Sequence, residues 1–148
     1  MDSKIKEIIF NIQKRLDENN KLSLTVIANY LYLIDWKHSI DFGYSITNIA
    51  WMIGYDNTPF SIDIKDLDLI QIEKFGDSKL SEIEVYTVNF VIKTIENKNE
   101  EEIKHLIIST YPFIIHGKGD EIDLKKCAEE YNKIRYNGFL KTKTHKAN

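Results

Sequence analysis

The stretch Leu24–Phe42 constrains the fold most, because each of its helical turns carries large apolar side chains. Ile27 and Leu31 are four residues apart, and neighbouring apolar residues widen this band around most of the helix circumference. Such a helix is buried on most sides, so we expect it at the centre of a helical core. Ser23 is a suitable N-cap, and Gly43 is a suitable C-terminal stop.

Four further segments show apolar residues repeating at three and four, the period of an amphipathic helix. The capping motifs at their starts support this interpretation, since they satisfy the first backbone N–H groups of a helix. The segments are residues 3–18, residues 85–95 behind the S-x-x-E capping box of Ser81, the segment between Asn99 and Pro112, and a last helix opened by Asp120 or Asp123 after the Gly117-Lys118-Gly119 turn.

The chain has too few turn residues for a many-stranded sandwich, with six Gly and two Pro in 148 residues and no linker that would divide domains. Residues 59–64 alternate apolar and polar, the period of a strand, and residues 69–75 form a second extended run. A short helix through Ile49 to Met52, capped by Thr47, is also expected. We therefore predict a mainly α, compact single helical domain over residues 1–140, with five to six helices, a small β-hairpin near residues 60–75 and a basic flexible tail at 141–148.

Charge and cysteine content limit the compartment and the partners. Cys127 is the single cysteine and lies on an apolar face, so we expect an inert buried thiol and no disulfide. We see no signal peptide and no apolar run that would span a membrane, which predicts a cytoplasmic protein. The formal net charge of −3 does not favour nucleic acid, although every charged residue after Glu130 is basic. We interpret that basic end as solvated, with DNA binding through it as the alternative.

The sequence lacks the short motifs that carry catalysis or bind metal. Its four histidines show no H-x-x-x-H or H-E-x-x-H spacing, and no cysteine cluster accompanies them. A nucleophile elbow, a P-loop and a dinucleotide-binding glycine motif are also missing from the sequence. We therefore predict no catalytic residues, no metal and no cofactor, and a protein that acts by binding.

Two neighbouring runs carry a family resemblance, the first from Ile27 to His38 and the second from Gly43 to Thr47. They resemble the Panacea (SocA-like) antitoxin domain family of bacteria and phages, whose members typically open with an L-x-Y-L-x-D-W-x-H helix and a G-R-x-I-T-like bend. The segment from Ala50 to Gly54, followed by Pro59, is similar to the family's A-W-x-Y-G-P-V-x-P segment.

Later motifs of that family recur in the same order. Leu80 to Glu84 is similar to its L-S-x-x-E helix start, and the stretches 109–112 and 119–123 are similar to its T-H-x-x-x-W and G-x-x-I-D ending. The chain departs at Tyr55, which stands where the family has the proline of G-P-V, and at Tyr111, where histidine is common. It therefore resembles a divergent member.

The resemblance implies an antitoxin, which neutralises a cognate protein toxin encoded by a neighbouring gene through direct protein–protein binding. Two alternatives stay open: a phage or prophage protein that inhibits a host or defence protein, and an adaptor that delivers its toxin to a protease. We expect neither a membrane nor nucleic acid as partner. Aromatic side chains anchor many such interfaces, and the candidate partner-binding residues are Trp51, Tyr55, Phe60, Tyr111 and Phe113. Among these we expect Tyr55 to be exposed.

Overall fold

The computed structural model describes residues 3–16, 22–65 and 77–147, with side chains except those of Lys65 and residues 140–147. Seven helices and one two-stranded antiparallel sheet occupy these residues, which confirms the predicted mainly α fold with a small hairpin. The elements are α1 (Ser3–Arg15), α2 (Leu24–Phe42), β1 (Met52–Ile53), β2 (Pro59–Phe60), α3 (Ile62–Lys65), α4 (Glu82–Ile95), α5 (Glu100–Ile108), α6 (Tyr111–Ile115) and α7 (Leu124–Ala147).

Helix α2 is the centre of the core, as its sequence predicts. It contacts α1, α4, α5 and α7, so side chains on nearly every side of it are buried. The Ser23 hydroxyl accepts a hydrogen bond from the backbone N–H of Val26, and Gly43 ends the helix with a left-handed φ of 84°. A helix enclosed by four others has no room for a wide polar face, which explains its apolar sequence.

Helix α1 is tied to the start of α4 by polar side chains from both. Glu7 is buried and accepts hydrogen bonds from the Ser78 hydroxyl at 2.6 Å and from the backbone N–H of Lys79 at 2.7 Å. The Lys4 ammonium lies 2.9 Å from a carboxylate oxygen of Glu84. These contacts fix the direction in which the apolar side of α1 faces the core.

The hairpin lies earlier in the chain than the sequence predicts. Met52 pairs with Phe60 and Ile53 with Pro59, and residues 54–58 form the turn between the strands. The predicted strand 59–64 is wrong beyond Phe60 because α3 begins there. The predicted second strand, residues 69–75, lies outside the described residues.

Two further expectations change in the structure. Residues 48–51 are not helical, because the backbone N–H and hydroxyl of Thr47 hydrogen-bond to Asp35 and the segment runs on into β1. In α7, the backbone stays helical to Ala147, so residues predicted as a basic tail from position 141 continue that helix. Within the part of the chain that the structure describes, none of the helices has the length and hydropathy to cross a bilayer.

Candidate protein-interaction surface

One buried carboxylate, that of Asp35, fixes the loop that leads into the hairpin. Asp35 is fully buried on α2, and four donors from the following loop converge on its two oxygens. Burial raises its pKa, whereas these donors act in the opposite direction by stabilising the charged form. The donors are the backbone N–H groups of Ile46 (3.0 Å) and Thr47 (3.1 Å), the Thr47 hydroxyl, and the Trp51 indole Nε1 (3.0 Å).

Trp51 is therefore a core residue and not a surface anchor. It is 2% exposed, and its ring meets that of Tyr32 edge-on with centroids 5.8 Å apart. A partner cannot reach this indole in the folded chain. This burial corrects the expectation that Trp51 contacts a partner, and gives the residue a role in positioning the hairpin.

Phe113 is likewise interior, and Tyr111 is half-buried beside it. Phe113 is 7% exposed, and its ring packs edge-on against that of Tyr32 with centroids 5.3 Å apart. This burial also corrects the expectation that Phe113 contacts a partner. The Tyr111 hydroxyl donates a hydrogen bond to Glu130 at 3.1 Å. Both rings hold α6 and α7 to the core, while Ile114 on the opposite side of α6 is exposed.

Tyr55 and Phe60 are exposed, as an interface requires, and the structure adds Ile62 to them. Tyr55 is 83% exposed at the tip of the turn, and Ile62 is 75% exposed at the start of α3. The Tyr55 ring lies 3.7–3.8 Å from the position that a Cβ on Gly119 would occupy, so the ring rests on that loop at ordinary van der Waals distance. We call this the hairpin surface, and its residues are Tyr55, Phe60 and Ile62 with the exposed carboxylates Asp56, Asp63, Asp120 and Glu121.

Three of the four carboxylates of the hairpin surface accept hydrogen bonds from nearby groups. Asp56 accepts from the Thr58 hydroxyl at 2.6 Å, Asp63 from the backbone N–H of Ala50 at 3.1 Å, and Asp120 from that of Gly117 at 2.8 Å. Lys118 is an exposed cation in the same loop, so it offsets only part of this charge. The surface is therefore apolar at its anchors and anionic around them.

The backbone beneath the hairpin surface is well ordered by hydrogen bonds on both edges of β1. Beyond its pairing with β2, Ile53 donates to the carbonyl of Asp120 at 2.9 Å and accepts from the N–H of Gly119 at 2.7 Å. Met52 faces Phe60 on one side and Glu121 on the other, which places the side chains of these cross-strand neighbours on one face. A surface fixed in this way loses little conformational entropy on binding.

Ile62 does not stand out in the sequence, because the alternation of residues 59–64 predicts a strand. In a strand, Ile62 and Ile64 share a face, whereas in helix α3 they point about 200° apart, which leaves Ile64 buried and Ile62 in solvent. The signal was Ser61, whose hydroxyl accepts from the backbone N–H of Asp63 at 3.1 Å. A serine followed by an acidic residue is a common start of a helical turn.

One arrangement of side chains resembles a catalytic triad in composition. The Cys127 Sγ lies 4.0 Å from Nε2 of His116, whose Nδ1 lies 3.6 Å from Asp120. The thiol is only 3% exposed, and burial raises its pKa to about 11, with Glu130 and Asp123 adding to the shift. A nucleophilic cysteine needs access and a lowered pKa, so this arrangement does not support a thiolate mechanism.

The clefts beside the hairpin are too small for a drug-sized ligand, and the described residues form no metal-binding cluster. Two clefts beside the hairpin measure about 220 and 190 Å³, below the range of roughly 300–1,000 Å³ that suits drug-sized ligands. Among the described residues, no group of three or more His, Cys, Asp or Glu side chains is arranged to hold a metal ion.

Comparison with protein-family models, curated proteins and solved structures finds no match to this chain. The resemblance described from the sequence motifs therefore stays an expectation, and function has to be inferred from the chain's own surface. Among the residues proposed from sequence, the hairpin surface unites Tyr55 and Phe60. Trp51 lies in the core next to the hairpin, whereas Tyr111 and Phe113 pack where α6 meets the core and α7.

Proposed function

We propose that this chain is an antitoxin that binds a cognate protein toxin through the hairpin surface. The observation that carries the proposal is the pair of highly exposed apolar side chains, Tyr55 in the hairpin turn and Ile62 just after β2, beside a strand β1 that is hydrogen-bonded on both edges. Exposed apolar side chains ringed by polar residues are typical of protein-interaction sites. The motif resemblance to the Panacea family supplies the class of partner.

The charge of the hairpin surface defines the chemistry of the toxin. The hairpin surface carries four carboxylates, and Lys118 offsets only part of their negative charge. This charge favours a partner face that carries Lys or Arg around an apolar centre. We expect this toxin to be encoded by a neighbouring gene and to meet the antitoxin in the cytoplasm. Neutralisation by occupation of the toxin's surface requires no catalytic residue, cofactor or metal in this chain.

The alternative with the most support is a phage-encoded protein that inhibits a host or defence protein through the same surface. The exposed anchors and the carboxylates suit a basic partner of either origin, so the partner's identity separates the two. An adaptor that delivers its toxin to a protease would need a second contact besides the hairpin surface.

The first experiment is affinity capture of the tagged chain from its native cells, with mass spectrometry of the proteins that co-elute. The antitoxin proposal predicts a stoichiometric basic protein from the neighbouring gene, toxic when expressed alone and harmless when co-expressed with this chain. A Tyr55→Lys/Ile62→Lys variant should lose both the capture and the rescue. A host protein captured instead would favour the inhibitor, and nucleic acid alone would contradict both.

A matched control for these substitutions is Tyr136→Lys on α7. Tyr136 is 62% exposed and is remote from the hairpin in the chain, so its replacement tests for a general effect of added positive charge. We expect the control to bind and rescue like the unchanged protein. Loss of rescue in the control alone would assign binding to α7.

A further inference from the structure

Helix α4 carries a second apolar stripe, on the side facing away from the core. Ile83, Tyr86 and Phe90 are all exposed, and their spacing of three and seven places them on one helix face. The rings of Tyr86 and Phe90 stack with centroids 6.4 Å apart, and the Lys37 ammonium lies 4.9 Å from the centre of the Phe90 ring. We call these three residues the α4 stripe.

The α4 stripe is distinct from the hairpin surface. His38 near the end of α2 anchors α4 beside the stripe, with its Nδ1 2.8 Å from the Thr87 hydroxyl. The clefts next to the hairpin are lined instead by residues at the start of α2, including Thr25. Thirteen residues of helix separate Thr25 from His38, which corresponds to about 20 Å. A partner on one surface therefore leaves the other available.

The exposed aromatic area continues past the stripe onto the end of α2. Phe42 and Tyr44 are exposed, and both rings pack against the His38 imidazole, with centroids 4.7 and 4.6 Å away. Exposed aromatic rings collected in this way are a mark of an interface. A helix that docks along α4 would cover the stripe and would also contact Phe42 and Tyr44 beside it.

The charges that flank the α4 stripe indicate what covers it. Glu82 lies at the start of the helix and Lys93 near its end, both exposed and both on the same flank of the stripe. They are eleven residues apart, which is about 16 Å along the axis. A second α4 placed antiparallel across a twofold axis brings each Glu82 opposite Lys93 of the second copy. In a parallel pair Glu82 would lie level with Glu82 of the second copy and Lys93 level with Lys93, so neither charge would have an opposite partner.

We propose that a second copy of this chain docks on the α4 stripe, as an antiparallel, twofold-symmetric helix pair. Tyr86 and Phe90 of the two copies interdigitate near the axis, since the midpoint between Glu82 and Lys93 falls between these two rings. The antiparallel helix dipoles also attract each other. The contact is one helix wide, so we expect a dimer that dissociates on dilution.

The test is sedimentation velocity of the purified full chain over a wide dilution series, without any other protein. The unchanged chain should shift from monomer to dimer as its concentration rises. Tyr86→Lys should abolish the dimer, because it places a charge at the centre of the contact. A chain that stays monomeric at the highest concentration would overturn the proposal.

A charge exchange tests the antiparallel orientation. Glu82→Lys and Lys93→Glu should each weaken the dimer about tenfold, because two attractive pairs become repulsive. The double exchange Glu82→Lys/Lys93→Glu should restore it. A double variant as weak as the single variants would refute the arrangement, and circular dichroism confirms that all variants remain folded. The hairpin variant Tyr55→Lys/Ile62→Lys should dimerise normally, so failure of this proposal and failure of the antitoxin proposal give different results.

Discussion

The indole Nε1 of Trp51 donates a hydrogen bond to the buried carboxylate of Asp35 at 3.0 Å, and this contact joins the hairpin to the central helix. The two residues are sixteen apart in sequence: Asp35 lies on α2, and Trp51 directly precedes β1. The contact sets where β1 starts, and with it the position of Tyr55 and Phe60. Trp51 therefore positions the hairpin surface without being part of it.

Replacing Trp51 should destabilise the chain. In Trp51→Phe the Asp35 carboxylate loses one donor in a buried site, which costs about 1–3 kcal/mol in addition to the lost packing. Equilibrium urea unfolding measures the change. Trp36→Phe is the matched control, since it shortens another buried indole without touching Asp35. Equal losses in the two variants would contradict a specific role for the Trp51–Asp35 hydrogen bond.

Acid should destabilise the chain partly through Glu84. Burial raises the pKa of Glu84, but the Ser81 backbone N–H and the Lys4 ammonium outweigh it, so the pKa lies below its ordinary value of 4.5. The unfolded state then binds the proton more readily, and the stability that Glu84 provides above pH 4.5 is lost as pH falls through the folded pKa. Glu84→Gln should flatten the unfolding free energy against pH below 4.5. An unchanged acid slope would be evidence against this assignment.

His38 should add a second pH dependence, at higher pH. Burial lowers its pKa, and Lys4 adds to this, while Glu84 and Asp41 oppose it. Because the folded pKa lies below 6.5, stability is full above that pH and falls as pH drops through the folded value. His38→Asn, which keeps a donor near Thr87, should reduce this fall. The exposed His105→Asn serves as control, and a similar effect in both variants would argue against His38.

Cys127 should react slowly with thiol reagents in the folded chain. Its thiol is buried and its pKa is raised to about 11, so little thiolate is present at pH 8 and the reagent has no access. Labelling with an aromatic disulfide should become fast only in denaturant. Rapid labelling of the native chain would contradict the burial of Cys127. It would also support a nucleophilic thiolate at Cys127 beside His116.

The elements predicted correctly from sequence are those whose signals are local. The N-cap Ser23 and the C-terminal Gly43 of α2 can both be identified in the sequence. The capping box at Ser81 likewise marks the start of α4. The exposure of Tyr55 was predicted from its place in a turn. These features depend on neighbours within a few positions, so periodicity and capping are enough to find them.

The elements that were missed depend on contacts between distant residues. The burial of Trp51 follows from Asp35, and the Glu7 carboxylate binds residues more than seventy positions away. Ile62 was misplaced because a period of two cannot be distinguished from a single helical turn over four residues. The second apolar stripe of α4 was overlooked because the buried stripe on the same helix already accounted for the periodic pattern.

The most direct test of the hairpin surface is the affinity of the captured neighbour-encoded protein, measured by titration calorimetry against three forms of this chain. The unchanged chain and Tyr136→Lys should bind with equal affinity. Tyr55→Lys/Ile62→Lys should bind at least about thirtyfold more weakly, the equivalent of roughly 2 kcal/mol for losing interface anchors, with an unchanged melting temperature. Equal affinity for all three forms would show that the toxin binds elsewhere and would contradict the proposed role of the hairpin surface.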